Sequence, residues 1–344
     1  MSNADSSQHN VDPLLQVKQL RKYFPIRKGL FQRHVGDIRA VDGVSLSIDD
    51  GQTLGLVGES GCGKTTVARC ILQAIRPTSG QTLFRKRDGQ VVDLTRIASS
   101  QLREMRRDIQ LIFQNPFTSL NPRMTLLDIV GEPLLVNGMK NRRQRTERVA
   151  ELLEMVGMRP EYLRRYPHAF SGGQRQRIGI ARALALTPRL VVADEPVSAL
   201  DVSIQAQVLN LMMDLQERLK LTYLFVSHDL SVIRRICDHV AVMYLGRIVE
   251  FGPTESLFHA PKHPYTRALL AAVPQADPRT RGKLIVPTGE VPSLTNPPSG
   301  CHFHPRCPHV IDRCRDEVPK SESIESNRQV SCYRAAELQL QGID

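Results

Sequence analysis

Ser171-Gly172-Gly173-Gln174 lies between a glycine-rich loop, Gly58-Glu59-Ser60-Gly61-Cys62-Gly63-Lys64-Thr65, and an apolar run that ends in two acids, Leu190-Val191-Val192-Ala193-Asp194-Glu195. The flanking pair alone implies a nucleotide hydrolase. The element between them adds a second phosphate-binding feature, because a serine at a helix start and the free N–H groups behind it form an anion site. One polypeptide has little use for two phosphate cradles unless the second serves another subunit's nucleotide. The order of motifs therefore predicts an ATPase whose site closes when two such surfaces meet.

Each motif has a local physical logic. Gly58, Gly61 and Gly63 let the backbone curl so that N–H groups point inward at phosphate, and the helix beginning at Lys64-Thr65-Thr66 adds the partial positive charge of its N-terminus. Ser60 and Cys62 fill the variable loop positions. Lys64 is expected to bridge the β- and γ-phosphates, and the Thr65 hydroxyl to ligate magnesium. Asp194 ends a buried strand, where a carboxylate needs a cation, and magnesium supplies one. Glu195 projects differently and is the candidate to orient and deprotonate the attacking water. Gln114 and His228 each close an apolar strand, Ile109 to Phe113 and Tyr223 to Val226; the Gln114 amide is a candidate to reach both magnesium and the attacking water, and His228 to position the γ-phosphate. Ordinary roles compete at each position: helix capping for Ser171, polar surface for Gln114, a packed or surface residue for His228. Their joint order favours the nucleotide reading.

The chain has 344 residues, net charge +11, 41% hydrophobic and 24% charged residues. These values suit an ordinary globular protein of two domains, or of one with an insertion. No apolar run approaches the roughly 18–20 residues needed to span a bilayer. Met1 to Asn10 is polar and lacks a secretory pattern, so the expectation is a cytosolic chain that meets a membrane through partners. The basic clusters Arg103, Arg106, Arg107 and Arg142, Arg143, Arg145, Arg148 read first as solvated helix faces, with an anionic leaflet as the second reading.

Hydrophobic periodicity divides the chain. Residues 1–13 read as a disordered lead. Leu14 to Phe24, then Val44, Leu46 and Ile48, then Leu54 to Val57 read as strands, and Lys64 to Ile75 as a helix. Val149, Leu152, Leu153 and Val156 fall on one helical face, within a helical insertion at about 116–185. A helix carrying Ile204, Val208, Leu211, Leu215 and Leu219 follows the two acids, and His239 to Phe251 reads as a hairpin. From Gly252 prolines become frequent and periodicity fades, apart from a short helix near Tyr265 to Ala272. This stretch, 253–344, reads as an appendage of roughly 90 residues, small for an independent core without a staple.

Gly58–Thr65, Gln114, Ser171–Gln174, Asp194–Glu195, Ser198-Ala199-Leu200-Asp201 and His228 occur in the order of an ATP-binding-cassette (ABC) ATPase, which this chain resembles over 14–252. The resemblance implies an α/β fold with a RecA-like core, an antiparallel β subdomain and an inserted helical subdomain. It implies that Gln114 senses the membrane subunits, that Ser198 to Asp201 crosses to the sister subunit, and that Phe24, or its neighbour Tyr23, stacks on adenine. Asn115 to Arg123, Tyr166 to Ser171, His263-Pro264-Tyr265-Thr266 and Asn296 to Cys301 resemble the ATPase subunits of bacterial dipeptide and oligopeptide importers. That narrower resemblance implies a heterodimer with a sister ATPase, two membrane permeases, an extracytoplasmic peptide-binding protein, and a peripheral place on the cytoplasmic face of the inner membrane. Similar ATPases serve importers of nickel, glutathione or antimicrobial peptides. A nucleic-acid-processing ATPase of the same superfamily is the alternative from another class. The basic charge permits it, but no second cassette, coiled coil or DNA module is visible, and no nucleic acid is expected.

Four of the seven cysteines, Cys301, Cys307, Cys314 and Cys332, fall near the end of the chain with spacing C-x5-C-x6-C-x17-C. The spacing fits neither tight zinc pairs nor ferredoxin patterns and leaves zinc and iron–sulfur open, with His302, His304 and His309 as alternative ligands. The resemblance implies a 4Fe–4S cluster on the four cysteines, a structural staple for the extension. Cys70 and Cys237 read as small buried hydrophobes.

Overall fold

Strands β1 (Leu15–Lys28), β2 (Arg33–Ile48), β4 (Ser79–Arg85) and β5 (Val91–Asp93) form an antiparallel sheet of order β2-β1-β4-β5 in the computed structural model. The structure describes residues 12–29, 31–273, 289–325 and 327–343, so the expected lead lies almost wholly outside it. In β2, Val44, Leu46 and Ile48 are buried while Ser45 and Ser47 face water, the period of a strand with one covered face. Register pairs Leu15 with Ile48 and Val17 with Leu46.

The second sheet has eight strands. Its centre is parallel: β6 (Ile109–Ile112), β7 (Leu190–Asp194), β8 (Thr222–Val226), β3 (Thr53–Val57) and β9 (His239–Tyr244), neighbours in that order. Every residue of β3, β7 and β8 is buried, as expected of parallel strands covered on both faces. Alternate residues feed two cores. Leu190, Val192, Leu224 and Val226 pack with β1, β2 and helix α1 (Lys64–Ile71), whereas Val191, Ala193, Tyr223 and Phe225 pack toward the helical layer. The register Leu56↔Val226 and Asp194↔Val226 aligns the carboxyl ends of β3, β7 and β8, where ligands of such sheets bind.

After α2 (Ser99–Asp108) and β6 comes the helical layer: α3 (Pro116–Ser119), α4 (Leu126–Val136), α5 (Arg142–Met155) and α6 (Gly172–Leu184). Val149, Leu152, Leu153 and Val156 are fully buried, as their spacing requires. The side chains of Thr125 and Asn141 cap α4 and α5 by accepting backbone N–H bonds. Helix α7 (Val202–Leu219) leads into β8, and α8 (Leu230–Ile236) into β9. Helix α1 stops at Ile71, short of the expected Ile75, because Gln73 turns to φ 53°.

The stretch after Gly252 is joined to the core. β10 (Arg247–Pro253) pairs antiparallel with β9 on one side and with β12 (Arg328–Val330) on the other, and β11 (Glu322–Glu325) pairs with β12. Between them run α9 (Thr254–His259), α10 (Pro264–Ala271) and α11 (Arg313–Asp316). Leu257, Phe258, Tyr265, Leu270 and Phe303 belong to the same core cluster as β7 and β8. The Arg328 guanidinium meets the fully buried Glu250 carboxylate at 2.9 Å. The extension therefore completes the sheet and shares its core, which removes the physical need for a staple.

The expected metal staple finds no support. Cys301, Cys307, Cys314 and Cys332 line one small cavity of about 20 Å³. Among the described residues, however, no group of three or more His, Cys, Asp or Glu is arranged to hold a metal ion. Burial pushes the Cys301 and Cys332 thiols up to about 11 and about 12 and raises Cys307 as well. Cys70 and Cys237 are buried, as expected.

Candidate active site

The loop between β3 and α1 needs glycine at two points. Gly58 (φ 151°) and Gly63 (φ 111°) leave no room for a side chain: a Cβ would lie 2.1 Å from the Met243 carbonyl oxygen at Gly58 and 2.1 Å from the Ala40 carbonyl oxygen at Gly63. Ser60 and Gly61 are exposed at the loop's crest, and Thr66 is half-buried in the first turn of α1. The Lys64 ammonium, 6% exposed, donates to the carbonyls of Gly58 (2.7 Å) and Glu59 (3.1 Å), so the loop's own backbone holds the charge inside the curl. Cys62 Sγ lies 4.0 Å from the same ammonium, its thiol pushed up by burial.

Beside the loop, the Thr65 hydroxyl donates to Asp194 Oδ1 at 3.1 Å. Burial raises the Asp194 pKa, and the Thr65 bond opposes the rise. A hydroxyl and a desolvated carboxylate in contact, in need of positive charge, fit a hard divalent cation.

Glu195 follows in a left-handed conformation (φ 48°), with its N–H pinned to the Val226 carbonyl at 2.9 Å. This backbone reversal separates its side chain from that of Asp194. The carboxylate is held at both oxygens: Gln114 Nε2 donates to Oε2 at 2.8 Å, and His228 Nδ1 lies 3.1 Å from Oε1. Four strands thus deliver Lys64, Thr65, Gln114, Asp194, Glu195 and His228 to one end of the sheet.

Ser171, Gly172, Gly173 and Gln174 are placed elsewhere, at the N-terminus of α6 in the helical layer. Ser171 is exposed and caps the helix reciprocally: its Oγ accepts the Gln174 N–H at 3.4 Å, and Gln174 Oε1 accepts the Ser171 N–H at 3.1 Å. Gly173 is buried, with Ile204 Cγ2 only 2.3 Å from where a Cβ would stand. The capped terminus therefore faces outward while its second glycine seats it on α7.

Of the two aromatics in β1, Tyr23 is engaged, its hydroxyl donating to Asp42 Oδ1 at 2.5 Å. Phe24 is half-buried, with the Lys22 ammonium 4.9 Å from its ring centre. Several clustered arginines have local partners: Arg143 with Glu147, Arg148 with Glu151, and Arg145 with the Met139 carbonyl. The structure also brings Tyr265 and Arg306 onto the phosphate loop, through Glu59. Tyr265 was marked in the sequence only as part of a family signature, and nothing local distinguished Arg306.

Comparison with known proteins shows the family. A family model described as ABC transporter matches residues 41–198, and one described as the C-terminal region of oligopeptide/dipeptide transporters matches 249–314. The chain is 53% identical to the oligopeptide transport ATP-binding protein AppF of Bacillus subtilis over 329 residues, covering 94% of this chain and 98% of the other. It is 49% identical to the dipeptide transport ATP-binding protein DppF of Haemophilus influenzae over 322 residues, covering 93% and 96%. Among solved structures it is similar to the dimeric post-hydrolysis state of the ATP-binding cassette MJ0796 bound to ADP and Pi, with 29% identity, TM-score 0.60, and coverage of 70% and 98%.

Proposed function

The chain belongs to the ABC transporter family as the ATP-binding subunit of an oligopeptide and dipeptide importer, and we propose that it works by ATP-driven closure onto a second such subunit. The observation that carries this mechanism is the Glu195 carboxylate, clamped at 2.8 Å by Gln114 and 3.1 Å by His228 beside the Thr65–Asp194 pair.

In this reading 14–252 is the ATPase domain, with its helical subdomain at about 116–185. The N–H groups of Gly58 and of Ser60 to Thr66, with the Lys64 ammonium, grip the phosphates, and Phe24 stacks on adenine, its neighbour Tyr23 being tied to Asp42. Thr65 and Asp194, with the Gln114 amide nearby, are the residues to hold magnesium, which supplies charge neutralisation at the phosphates when bound. Glu195 takes the proton of the attacking water. His228 holds that carboxylate in place and would position the γ-phosphate. Ser171, Gly172, Gly173 and Gln174 of one subunit close over the nucleotide of the other, and hydrolysis releases them.

The importer requires membrane permeases and a substrate-binding protein, and no helix among the described residues is long and apolar enough to cross a membrane. A heterodimeric sister ATPase and a place on the cytoplasmic face of the inner membrane complete the proposal. An iron–sulfur cluster on Cys301, Cys307, Cys314 and Cys332 rests on the resemblance and on their shared cavity, and no step of the mechanism passes through it. Iron and acid-labile sulfide analysis after anaerobic purification decides it, and protein free of both removes the cluster.

The test of the mechanism is Glu195→Gln. Turnover is expected to fall by about two orders of magnitude or more, since general-base assistance contributes roughly 10²–10⁴-fold, while ATP binding persists and a closed dimer accumulates. Near-normal turnover in that variant removes Glu195 from its role.

A further inference from the structure

Glu59, the second residue of the phosphate loop, is gripped from outside the loop. Its N–H donates to the Tyr265 hydroxyl at 2.9 Å. Its carboxylate receives Arg306 Nη1 at 3.2 Å on Oε1 and 3.1 Å on Oε2. Its carbonyl accepts Lys64 Nζ at 3.1 Å. Tyr265 is fully buried and Arg306 is 8% exposed, so neither is a surface contact. Behind them Tyr244, Tyr265 and Phe303 pack ring against ring, with centroids 4.5, 5.3 and 5.4 Å apart. Tyr244 follows the residue whose carbonyl closes off Gly58. Arg306 also has a buried Nε without a partner. A guanidinium kept in place with one donor unmet costs stability that an apolar residue would not, so its contact with Glu59 calls for a reason beyond packing.

We propose that Tyr265 and Arg306, both from the segment after Gly252, are positioning residues for ATP binding, fixing the curl of the phosphate loop through Glu59. The inference rests on the nucleotide reading of that loop. Neither side chain touches the nucleotide. They fix the direction of the Glu59 carbonyl that restrains Lys64 and the pitch of the N–H groups that follow. Loosening this prop weakens a grip shared by ground state and transition state, so affinity falls while the chemical step is kept.

The experiment measures the Kd of a fluorescent ATP analogue and the saturated ATPase rate of the full chain. Glu59→Gln and Tyr265→Phe keep size and packing. Each is expected to raise Kd about 3- to 10-fold with kcat changed less than about 2-fold. Arg306→Gln raises Kd similarly, and the pair Glu59→Gln with Arg306→Gln is no worse than the poorer single variant, because one contact has been removed twice. Arg306→Lys recovers part of the affinity. A merely structural role would lower thermal stability and the active fraction together without shifting Kd. Unchanged Kd in both Glu59→Gln and Tyr265→Phe, with wild type binding normally and Lys64→Ala not binding, overturns this inference alone. Wild type that fails to bind the analogue overturns the nucleotide reading and this inference with it.

Discussion

Three residues show how environment sets chemistry here. Glu195 is held in a backbone conformation uncommon outside glycine, and its reward is a carboxylate aimed where Gln114 and His228 meet it. His263 is the opposite case. It is fully buried, its Nδ1 accepts the Tyr265 N–H at 3.0 Å, and burial lowers its pKa to about 3. His302 is buried too and lowered to about 4, by burial first and the nearby Arg247 charge second. Both stay neutral in the folded protein, while an unfolded histidine takes a proton below about 6.5. The unfolded state therefore binds more protons below that pH, so this stability is complete above 6.5 and is lost as pH falls toward 4 and 3. The unfolding free energy from denaturant titration is expected to drop between pH 7 and pH 5, by at most about 1.4 kcal/mol per pH unit for each histidine, and His263→Asn is expected to flatten the slope. An unchanged slope would clear His263 of the effect. At this scale the sequence marks Lys64 and Thr65 by the glycine turn before them, and Asp194, Glu195 and His228 by the buried strands that end there. It does not mark Glu59, whose partners lie 206 and 247 positions away.

At the scale of elements, period-2 and 3.6-residue patterns located most strands and helices of the core. The strands that escaped notice, β4, β5, β11 and β12, are short or carry polar residues such as Glu322 and Arg328, and pairing partners alone define them. The α6–α7 contact is likewise invisible in sequence, since glycine at 173 reads as loop chemistry when it is also a packing residue. Gly173→Ala is expected to cost about 1–3 kcal/mol by overpacking against Ile204, seen as a lower melting temperature. Ile204→Ala in the same chain should return much of it. Equal destabilisation with and without Ile204 would place the cost elsewhere.

The larger of the two sheets is completed by distant parts of the chain. Glu250 accepts the Lys262 and His263 N–H groups at 2.8 and 2.9 Å as well as Arg328 at 2.9 Å. Removing its charge leaves Arg328 buried without compensation, and Glu250→Gln is expected to destabilise the protein by roughly 3 kcal/mol, with limited proteolysis starting beyond residue 253. Resistance equal to wild type would show that the extension is held otherwise. In the sequence 253–344 reads as a separate appendage, because proline-rich composition hides a strand as short as β12. Its true place bears on biosynthesis. When the ribosome has delivered everything through Pro253, β10 still has one side bare, and its partner Val330 and the loop's prop Arg306 have yet to be made. The newborn chain must wait for its last stretch before the nucleotide cradle is braced, and a cellular holdase would find its target in that interval.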